Sequence, residues 1–292
     1  MAARRQERQG GRAPGLYPCA SRGGCRAHPY ALAALLFLLV FTFLSVFSVR
    51  AMALEPALIL NASPQGQSLS GHLALLHDAD GTLDISEVAD PAAAGRFAPL
   101  PGNLAAGYSG ATHWLRVTLR REAGEDAQRL LELLPTYLDE IRLYEADAQG
   151  GFRERRQGDV LPRAMREAEY RGFVFRLSVP ERETTYYLRL RTTSTTLLVA
   201  SLWLPEAHVG AVQREYLAFG VANGVILAAA LFALLLWAYL REPLIGHFAL
   251  LALLQLAGVL TVQGFVGEYF LHERPELVGI LTGVLIGVGT AQ

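Results

Sequence analysis

The sequence predicts a mainly β domain, an antiparallel sandwich, followed by an α-helical transmembrane bundle. Two observations carry this prediction. Residues 107–203 contain at least five short runs in which apolar and polar residues alternate, and turn-forming residues separate the runs. By contrast, residues 30–49, 216–240 and 244–266 are apolar without alternation and have the length of membrane-spanning helices. A soluble middle part between apolar blocks follows from this distribution.

Composition narrows the class of protein. The net charge of −1 over 292 residues gives no indication of nucleic acid binding. Cys19 and Cys25 both precede the first apolar run, so the middle domain holds no cysteine for a disulfide framework or a Cys-rich metal site. We expect neither a cofactor nor a metal ion in this chain.

Residues 1–53 are predicted to direct export. Residues 1–29 combine arginines with glycine and proline and contain too few apolar residues to form a core, so we expect disorder there. The uncharged run at 30–49 precedes Ala51 and Ala53, which fit a small-residue cleavage site. The run is long for a signal peptide, so cleavage and retention as an anchor both remain open. In either case the basic flank stays in the cytoplasm and the following segment is exported.

The strand prediction rests on side-chain alternation. In residues 114–120, Leu115, Val117 and Leu119 share one face and the polar positions share the other. Further predicted strands lie at 69–76, 130–134, 140–144, 173–179 and 185–191, with a hairpin turn at 149–151 and a plain connection at 91–107. Short strands at this spacing predict two sheets whose apolar faces pack together while the outer faces remain solvated.

Residues 78–84 (DADGTLD) have the composition of a calcium loop, but their spacing differs from one. An EF-hand loop needs glycine at its sixth position, whereas Gly81 is fourth counted from Asp78. We therefore interpret Asp80 and Gly81 as a turn, followed by a short helix with Asp84 and Glu87 in a capping box.

The outer sheet faces supply the candidate ligand-binding residues. They combine aromatic rings, which stack on sugars, with arginines, whose planar guanidinium binds carboxylates or phosphates. The alternative is a solvated sheet face without a ligand. No catalytic constellation is present, because His72, His77 and His113 are scattered and no nucleophile motif accompanies them. The candidates are Trp114, Arg116, Arg142, Tyr144, Tyr187, Arg189 and Arg191.

The second apolar block predicts a transmembrane bundle. Spans are expected at 216–240 and 244–266, with the loop 267–276 outside, and a third run at 277–292 stops without a polar flank, as in a fragment. His247, Gln255 and Gln263 lie in or near the second span, and helix–helix hydrogen bonding explains them better than an ion pathway. The predicted domains are 1–53 for export, 54–210 for the sandwich and 211–292 for the first three helices of the bundle.

The order and spacing of several short blocks resemble the bacterial 7TM receptors with diverse intracellular signalling modules, the 7TMR-DISM family. The middle part is similar to the second type of extracellular domain in that family, and residues 239–243 (YLREP) and 264–269 (GFVGEY) are similar to the start of its membrane bundle. In the middle part the resemblance rests on residues 113–119 (HWLRVTL), 138–144 (LDEIRLY), 158–162 (GDVLP), 171–175 (RGFVF), 186–190 (YYLRL) and 202–205 (LWLP).

This resemblance implies a jelly-roll-like sandwich, similar to carbohydrate-binding modules, on a seven-helix bundle. It also implies a multi-pass protein of the bacterial inner membrane, with residues 54–210 in the periplasm or outside the cell. In the family, the bundle leads to a cytoplasmic output such as a histidine kinase or a diguanylate cyclase. The sequence stops in the third predicted span, so an output domain is absent from it.

The leading functional hypothesis is a receptor input module that senses a small extracytoplasmic ligand, a carbohydrate or a carboxylate. The expected partners are that ligand, the lipid bilayer and an output domain in the same chain, with a homodimer as a further option and no nucleic acid. The alternatives are the N-terminal part of a membrane-bound signalling enzyme and an envelope polysaccharide-binding module without signalling. We expect no enzymatic activity from the residues present.

Overall fold

The computed structural model of the chain describes residues 57–61, 65–271, 277, 279–281 and 283–285. Within these residues, two β-sheets form a sandwich that is followed by long apolar helices. The predicted fold class, an antiparallel sandwich followed by helices that are able to span a membrane, is confirmed. The predictions for residues 1–53 and for most of the run 277–292 fall outside the described residues.

The sandwich consists of a seven-stranded and a five-stranded sheet. The larger sheet has the order β4-β3-β6-β11-β8-β9, with β1 parallel to β6, and the smaller has the order β10-β7-β12-β2, with β5 paired to β12. The strands are β1 (Leu58–Leu60), β2 (Gln67–Ser68), β3 (Leu73–Asp78), β4 (Ala98–Leu100), β5 (Leu104–Tyr108), β6 (Thr112–Arg121), β7 (Gln128–Leu134), β8 (Glu140–Ala146), β9 (Phe152–Gln157), β10 (Phe173–Ser178), β11 (Thr184–Arg191) and β12 (Thr195–Trp203).

The main core lies between the two sheets, as the alternation predicts. Leu115, Leu143 and Leu188 form one cross-strand row on β6, β8 and β11, and all three side chains are fully buried. Leu131 and Phe175 form a facing pair on the other sheet and belong to the same core cluster. Each such side chain stabilises the fold by about 1.5–3 kcal/mol relative to an exposed one, so this core holds the sheets together.

Two predictions near the N-terminus of the sandwich need correction. The predicted strand at 69–76 is confirmed only from residue 73, where β3 begins, because residues 69–72 form a turn after β2 in which Gly71 has a φ of 81°. Such a φ belongs to a turn rather than to a strand, and glycine adopts it without a steric penalty. The stretch 91–107, predicted as a plain connection, contains the 3-10 helix Pro91–Arg96 and the strands β4 and β5.

The interpretation of residues 78–84 as a turn before a short helix is confirmed. The Asp78 carboxylate accepts hydrogen bonds from the backbone N–H groups of Gly81, Thr82 and Leu83 at 3.0–3.3 Å. The helix α1 (Ile85–Val88) begins with the predicted capping box between Asp84 and Glu87. The hydrogen-bonding capacity of the Asp78 carboxylate is therefore used by the backbone N–H groups of its own loop.

Long helices follow β12, and α2 (Pro205–Leu240) and α3 (Pro243–Val262) are long and apolar enough to cross a membrane. Helix α2 begins at Pro205, well before the span predicted to start at residue 216. Its 36 residues extend about 54 Å at 1.5 Å per residue, so the helix is longer than the roughly 30 Å that a crossing of the bilayer core requires. A short helix α4 (Phe265–Tyr269) follows, and residues 277, 279–281 and 283–285 are also helical.

A hydrogen bond between polar side chains joins the two long helical segments. Asn223 Nδ2 on α2 donates to Oε1 of Gln263, the residue that follows α3, over 2.9 Å. Helix–helix hydrogen bonding, predicted for the polar residues of the second span, is therefore confirmed for Gln263.

Candidate ligand cavity between the sandwich and the helices

The seven residues predicted to bind ligand lie together on the outer face of the larger sheet. Their strands β6, β11 and β8 are neighbours, and the side chains stand in adjacent cross-strand rows. One row holds Trp114, Arg189 and Arg142, the next holds Arg116, Tyr187 and Tyr144, and Arg191 lies opposite Glu140. Six of the seven residues are therefore close neighbours.

The prediction that this outer face is solvated is wrong for its three aromatic residues. Trp114, Tyr144 and Tyr187 are buried in a second apolar cluster, together with Val88 and Phe97. The covering segment, residues 83–97, includes α1 and the 3-10 helix. Rings left in water would expose a large apolar area, and packing this segment against them removes that area.

The arginines of this face contact other protein groups. The guanidinium of Arg116 lies 4.5 Å from the ring centre of Phe97, and that of Arg189 lies 5.9 Å from the ring centre of Trp114. Arg142 forms an ion pair with Glu140 at 2.8 Å, whereas Arg191 is exposed. Ligand contact by the seven residues stays a prediction, and the buried rings are not available for stacking with a sugar in this arrangement.

A second candidate site lies where the sandwich meets the helices. Only Leu204 separates the end of β12 from the start of α2. Trp203 Nε1 donates to Glu132 Oε2 over 2.8 Å, and His208 Nε2 of α2 lies 3.4 Å from the other oxygen of that carboxylate. Burial alone would raise the pKa of Glu132, but the contacts with His208, Tyr170 and Trp203 hold it below its usual value. Glu132 is therefore a carboxylate that connects β7 with α2.

Arg171 connects the sandwich with both long helices. Its guanidinium pairs with Glu215 of α2, and its Nη1 donates to the carbonyl oxygen of Gln263 over 3.1 Å. The adjacent Tyr170 hydroxyl donates to Glu215 over 2.9 Å. Although burial by itself lowers the pKa of Arg171, the hydrogen bond to Glu215 raises it above its usual value. The side chain therefore stays charged in a mostly buried position.

Two further contacts cross the same junction. Arg163 Nη2 lies 3.0 Å from Glu268 Oε1, which places α4 against the sandwich. The Thr136 hydroxyl donates to the carbonyl oxygen of Val262 over 3.1 Å at the end of α3. The predicted outside loop, which begins at residue 267, therefore starts on the sandwich side of the helices.

These contacts surround a cavity of about 420 Å³, which we call the junction cavity. Its volume lies within the range of natural small-ligand sites. Three arginines and two carboxylates supply its charge, the 193–195 segment and two tyrosines supply hydroxyl groups, and Leu161, Val262 and Leu271 supply apolar wall. The charged lining residues are Arg163, Arg166, Arg171, Asp159 and Glu268.

Two lining groups have unmet hydrogen-bonding capacity. Among the described residues, Nε of Arg166 and Oδ1 of Asp159 are buried and have no hydrogen-bond partner. Burial and the nearby Asp139 raise the pKa of Asp159 to about 6. Burial and the nearby Arg163 lower the pKa of Arg166 to about 10. Both shifts indicate charges that their surroundings do not fully compensate.

Sequence reasoning did not single out the junction residues. Asp159 and Arg171 stand in the blocks GDVLP and RGFVF, which were used only for the family resemblance, and residues 163–171 carry a high density of arginine. This arginine density was the feature of the sequence that could have indicated the junction. Two of these arginines pair with glutamates of α2 and α4, which lie far away in the sequence, so the density alone does not identify a site.

Comparisons with known proteins agree with this architecture. A family model described as 7TMR-DISM extracellular 2 matches residues 70–204. Residues 70–204 are a 7TMR-DISM extracellular 2 domain. The match includes all strands of the sandwich from β3 to β12, so the resemblance predicted from the sequence blocks is confirmed. An extracellular domain of this family, followed by two helices that are long and apolar enough to cross a membrane, indicates a module of a membrane sensory receptor.

The other comparisons add little. No curated protein sequence matches this chain. Among solved structures, the chain is similar to the crystal structure of the GH31 alpha-xylosidase from Xanthomonas citri, with 13% identity and a TM-score of 0.26. The match covers 49% of this chain and 16% of the xylosidase chain. A likeness of this size carries no argument about function.

Proposed function

We propose that this chain is the input part of a bacterial inner-membrane receptor. In this proposal a small extracytoplasmic ligand binds the 7TMR-DISM domain and changes the packing of the membrane helices. The changed helix packing then alters the activity of a cytoplasmic output domain in the same protein, a histidine kinase or a diguanylate cyclase. The proposed localisation is multi-pass in the membrane, with the sandwich in the periplasm.

The observation that carries the proposal is the direct connection of sandwich and helix. β12 is a central strand of the smaller sheet, and one residue separates it from α2. A shift of β12 is therefore transmitted to a helix that is about 54 Å long. A flexible linker at this place would disconnect the two parts, and none is present between Trp203 and Pro205.

The contacts across the junction suit a change between two arrangements. They are ion pairs and hydrogen bonds around Glu132, Glu215 and Glu268. A ligand with polar groups is able to replace one partner of such an ion pair or hydrogen bond, whereas a close-packed apolar core resists rearrangement. A ligand that binds one arrangement better shifts the population toward it, and such couplings are typically about 1–3 kcal/mol.

A native tryptophan allows this coupling to be measured. The ring of Trp237 on α2 lies against Gly246 on α3, so close that a Cβ at Gly246 would be 2.7 Å from Nε1. Trp237 emission therefore reports on the packing of α2 against α3. The 292-residue chain in lipid nanodiscs is first screened by thermal shift against sugars, organic acids and amino acids.

We expect at least one compound to raise the melting temperature and to change the tryptophan emission. The emission change should disappear in a Trp237→Phe chain that still shows the thermal shift. A compound that raises the melting temperature but leaves Trp237 emission unchanged contradicts signalling through the helices. A panel without any thermal shift contradicts a small-ligand sensor and favours a polysaccharide-binding module.

A further inference from the structure

We propose that the junction cavity binds a small organic acid that also carries hydroxyl groups, and that Arg166 holds the carboxylate of this ligand. The inference rests on the proposed sensing function, because it names the site and chemical class of the ligand. It places the ligand at a different site from the outer-face residues predicted from the sequence.

The argument begins with the three arginines of the cavity. Arg163 is paired with Glu268 and Arg171 with Glu215. In the part of the chain that the structure describes, Arg166 forms no ion pair within 4.0 Å. Its Nη1 donates to the backbone carbonyl oxygens of residues 170 and 171, and its guanidinium lies 5.0 Å from the ring centre of Phe173. Its Nε is buried without a partner. A carboxylate in the cavity would supply the missing negative charge beside this guanidinium.

The rest of the lining indicates hydroxyl groups on the ligand. Ser194, Thr195 and Tyr137 line the cavity, and each carries a hydroxyl group that is able to donate and to accept. Oδ1 of Asp159 is a further buried acceptor without a partner. A purely aliphatic acid would leave these groups without hydrogen bonds, whereas a polyhydroxy acid would pair with them.

The volume and the position of the cavity bear on whether the carboxylate or phosphate comes from a free solute or from a lipid headgroup. A cavity of about 420 Å³ accommodates a six-carbon acid. An anionic lipid headgroup offers the same oxyanion chemistry, because the cavity borders the apolar helices α3 and α4. The hydroxyl-rich lining on the sandwich side favours a free solute, and the test separates the two sources.

The test uses three matched six-carbon probes on the 292-residue chain in phosphatidylcholine nanodiscs, with titration calorimetry as the readout. Gluconate has the carboxylate and the hydroxyls, sorbitol has only the hydroxyls, and hexanoate has only the carboxylate. We expect saturable gluconate binding, and we expect sorbitol and hexanoate to bind about tenfold more weakly or worse. Sorbitol cannot form the charge-assisted hydrogen bonds of a carboxylate, and hexanoate cannot form the neutral hydrogen bonds of the hydroxyl groups.

Variants locate the site. Arg166→Gln should weaken gluconate binding by about tenfold to a hundredfold, because it removes a charged hydrogen-bond donor. Arg166 also holds the 170–171 backbone, so Ser194→Ala serves as a second variant with fewer contacts. It should weaken gluconate but leave hexanoate unchanged. Arg182→Gln, at an exposed position outside the cavity, is the matched control and should bind gluconate as the unchanged chain does.

Three results overturn the inference. The first is gluconate binding that Arg191→Gln abolishes and the cavity variants leave intact, because the outer face is then the site. The second is loss of gluconate binding when phosphatidylglycerol replaces phosphatidylcholine in the nanodiscs, because a lipid headgroup then occupies the cavity. The third is no preference for gluconate over sorbitol and hexanoate, including no binding of any of them.

The readouts distinguish this inference from the proposed function. Gluconate binding that depends on Arg166 but leaves Trp237 emission unchanged supports the cavity as a binding site and contradicts receptor signalling. Conversely, another compound that changes Trp237 emission equally in the unchanged chain and in the Arg166→Gln and Ser194→Ala chains supports signalling and contradicts the cavity as the sensing site.

Discussion

Replacement of Asp159 by asparagine should stabilise the chain, and increasingly so as the pH rises. Burial and Asp139 raise the pKa of Asp159 from 3.8 to about 6, so the folded state binds this proton more tightly than the unfolded state. The ionised Asp159 carboxylate therefore destabilises the folded state fully above about pH 6, and this destabilisation is lost as the pH falls toward 3.8. Asparagine has a similar shape and carries no charge at any of these pH values.

The expected size follows from the shift. A rise of about two pKa units corresponds to about 3 kcal/mol, at 1.36 kcal/mol per unit. Asp159 is partly exposed and lies near Arg166, so solvent screening reduces the figure, and we expect about 1–2 kcal/mol. For a chain of this size this corresponds to about 2–8 °C in melting temperature. Arg163, Arg171 and Glu268 line the same cavity and are unchanged in both chains.

The assay is a thermal melt of both chains in nanodiscs between about pH 4.5 and pH 7.5. The difference in melting temperature should be larger at the higher pH, because other titrating groups cancel in the comparison. Asp80→Asn, at an exposed position, is the matched control and should change the melting temperature less than Asp159→Asn does at pH 7.5. A difference that stays constant or grows toward acid pH would refute the reasoning.

Three further predictions concern packing and the junction. Gly158→Ala should unfold the sandwich or prevent its expression, because a Cβ there lies 2.0 Å from a backbone carbonyl oxygen, whereas Gly110→Ala has open space and should fold normally. Arg171→Met and Glu215→Gln should each lower the melting temperature, and the double variant should lose less than the sum, with a coupling of about 1–3 kcal/mol. Additive losses would show that the pair is not coupled. Trp114→Ala should cost about 3–5 kcal/mol in a denaturant titration, because its side chain is fully buried, and a loss below about 1 kcal/mol would contradict its burial under the 83–97 segment.

The outer sheet face shows where local pattern reasoning succeeds and where it fails. Alternation correctly places Trp114 and Tyr187 on the face opposite the main core. It does not reveal that Val88 and Phe97 pack over them, because those residues come from a different part of the chain. The short helix was predicted from its capping box, but its packing partner was not. A periodic pattern describes which face a side chain is on, and only the tertiary structure decides what covers that face.

The sequence by itself determined the class of this protein. Alternating runs predict the sandwich and long uncharged runs predict the membrane helices, because these signals depend on neighbours in the chain. The order of the short blocks predicts the 7TMR-DISM resemblance in the same way. The tertiary structure alone decided which residues line the junction cavity. Arg166 and Asp159 line a cavity only when α3 and α4 pack against the sandwich. Contacts between segments that are distant in the sequence leave no periodic signal in it.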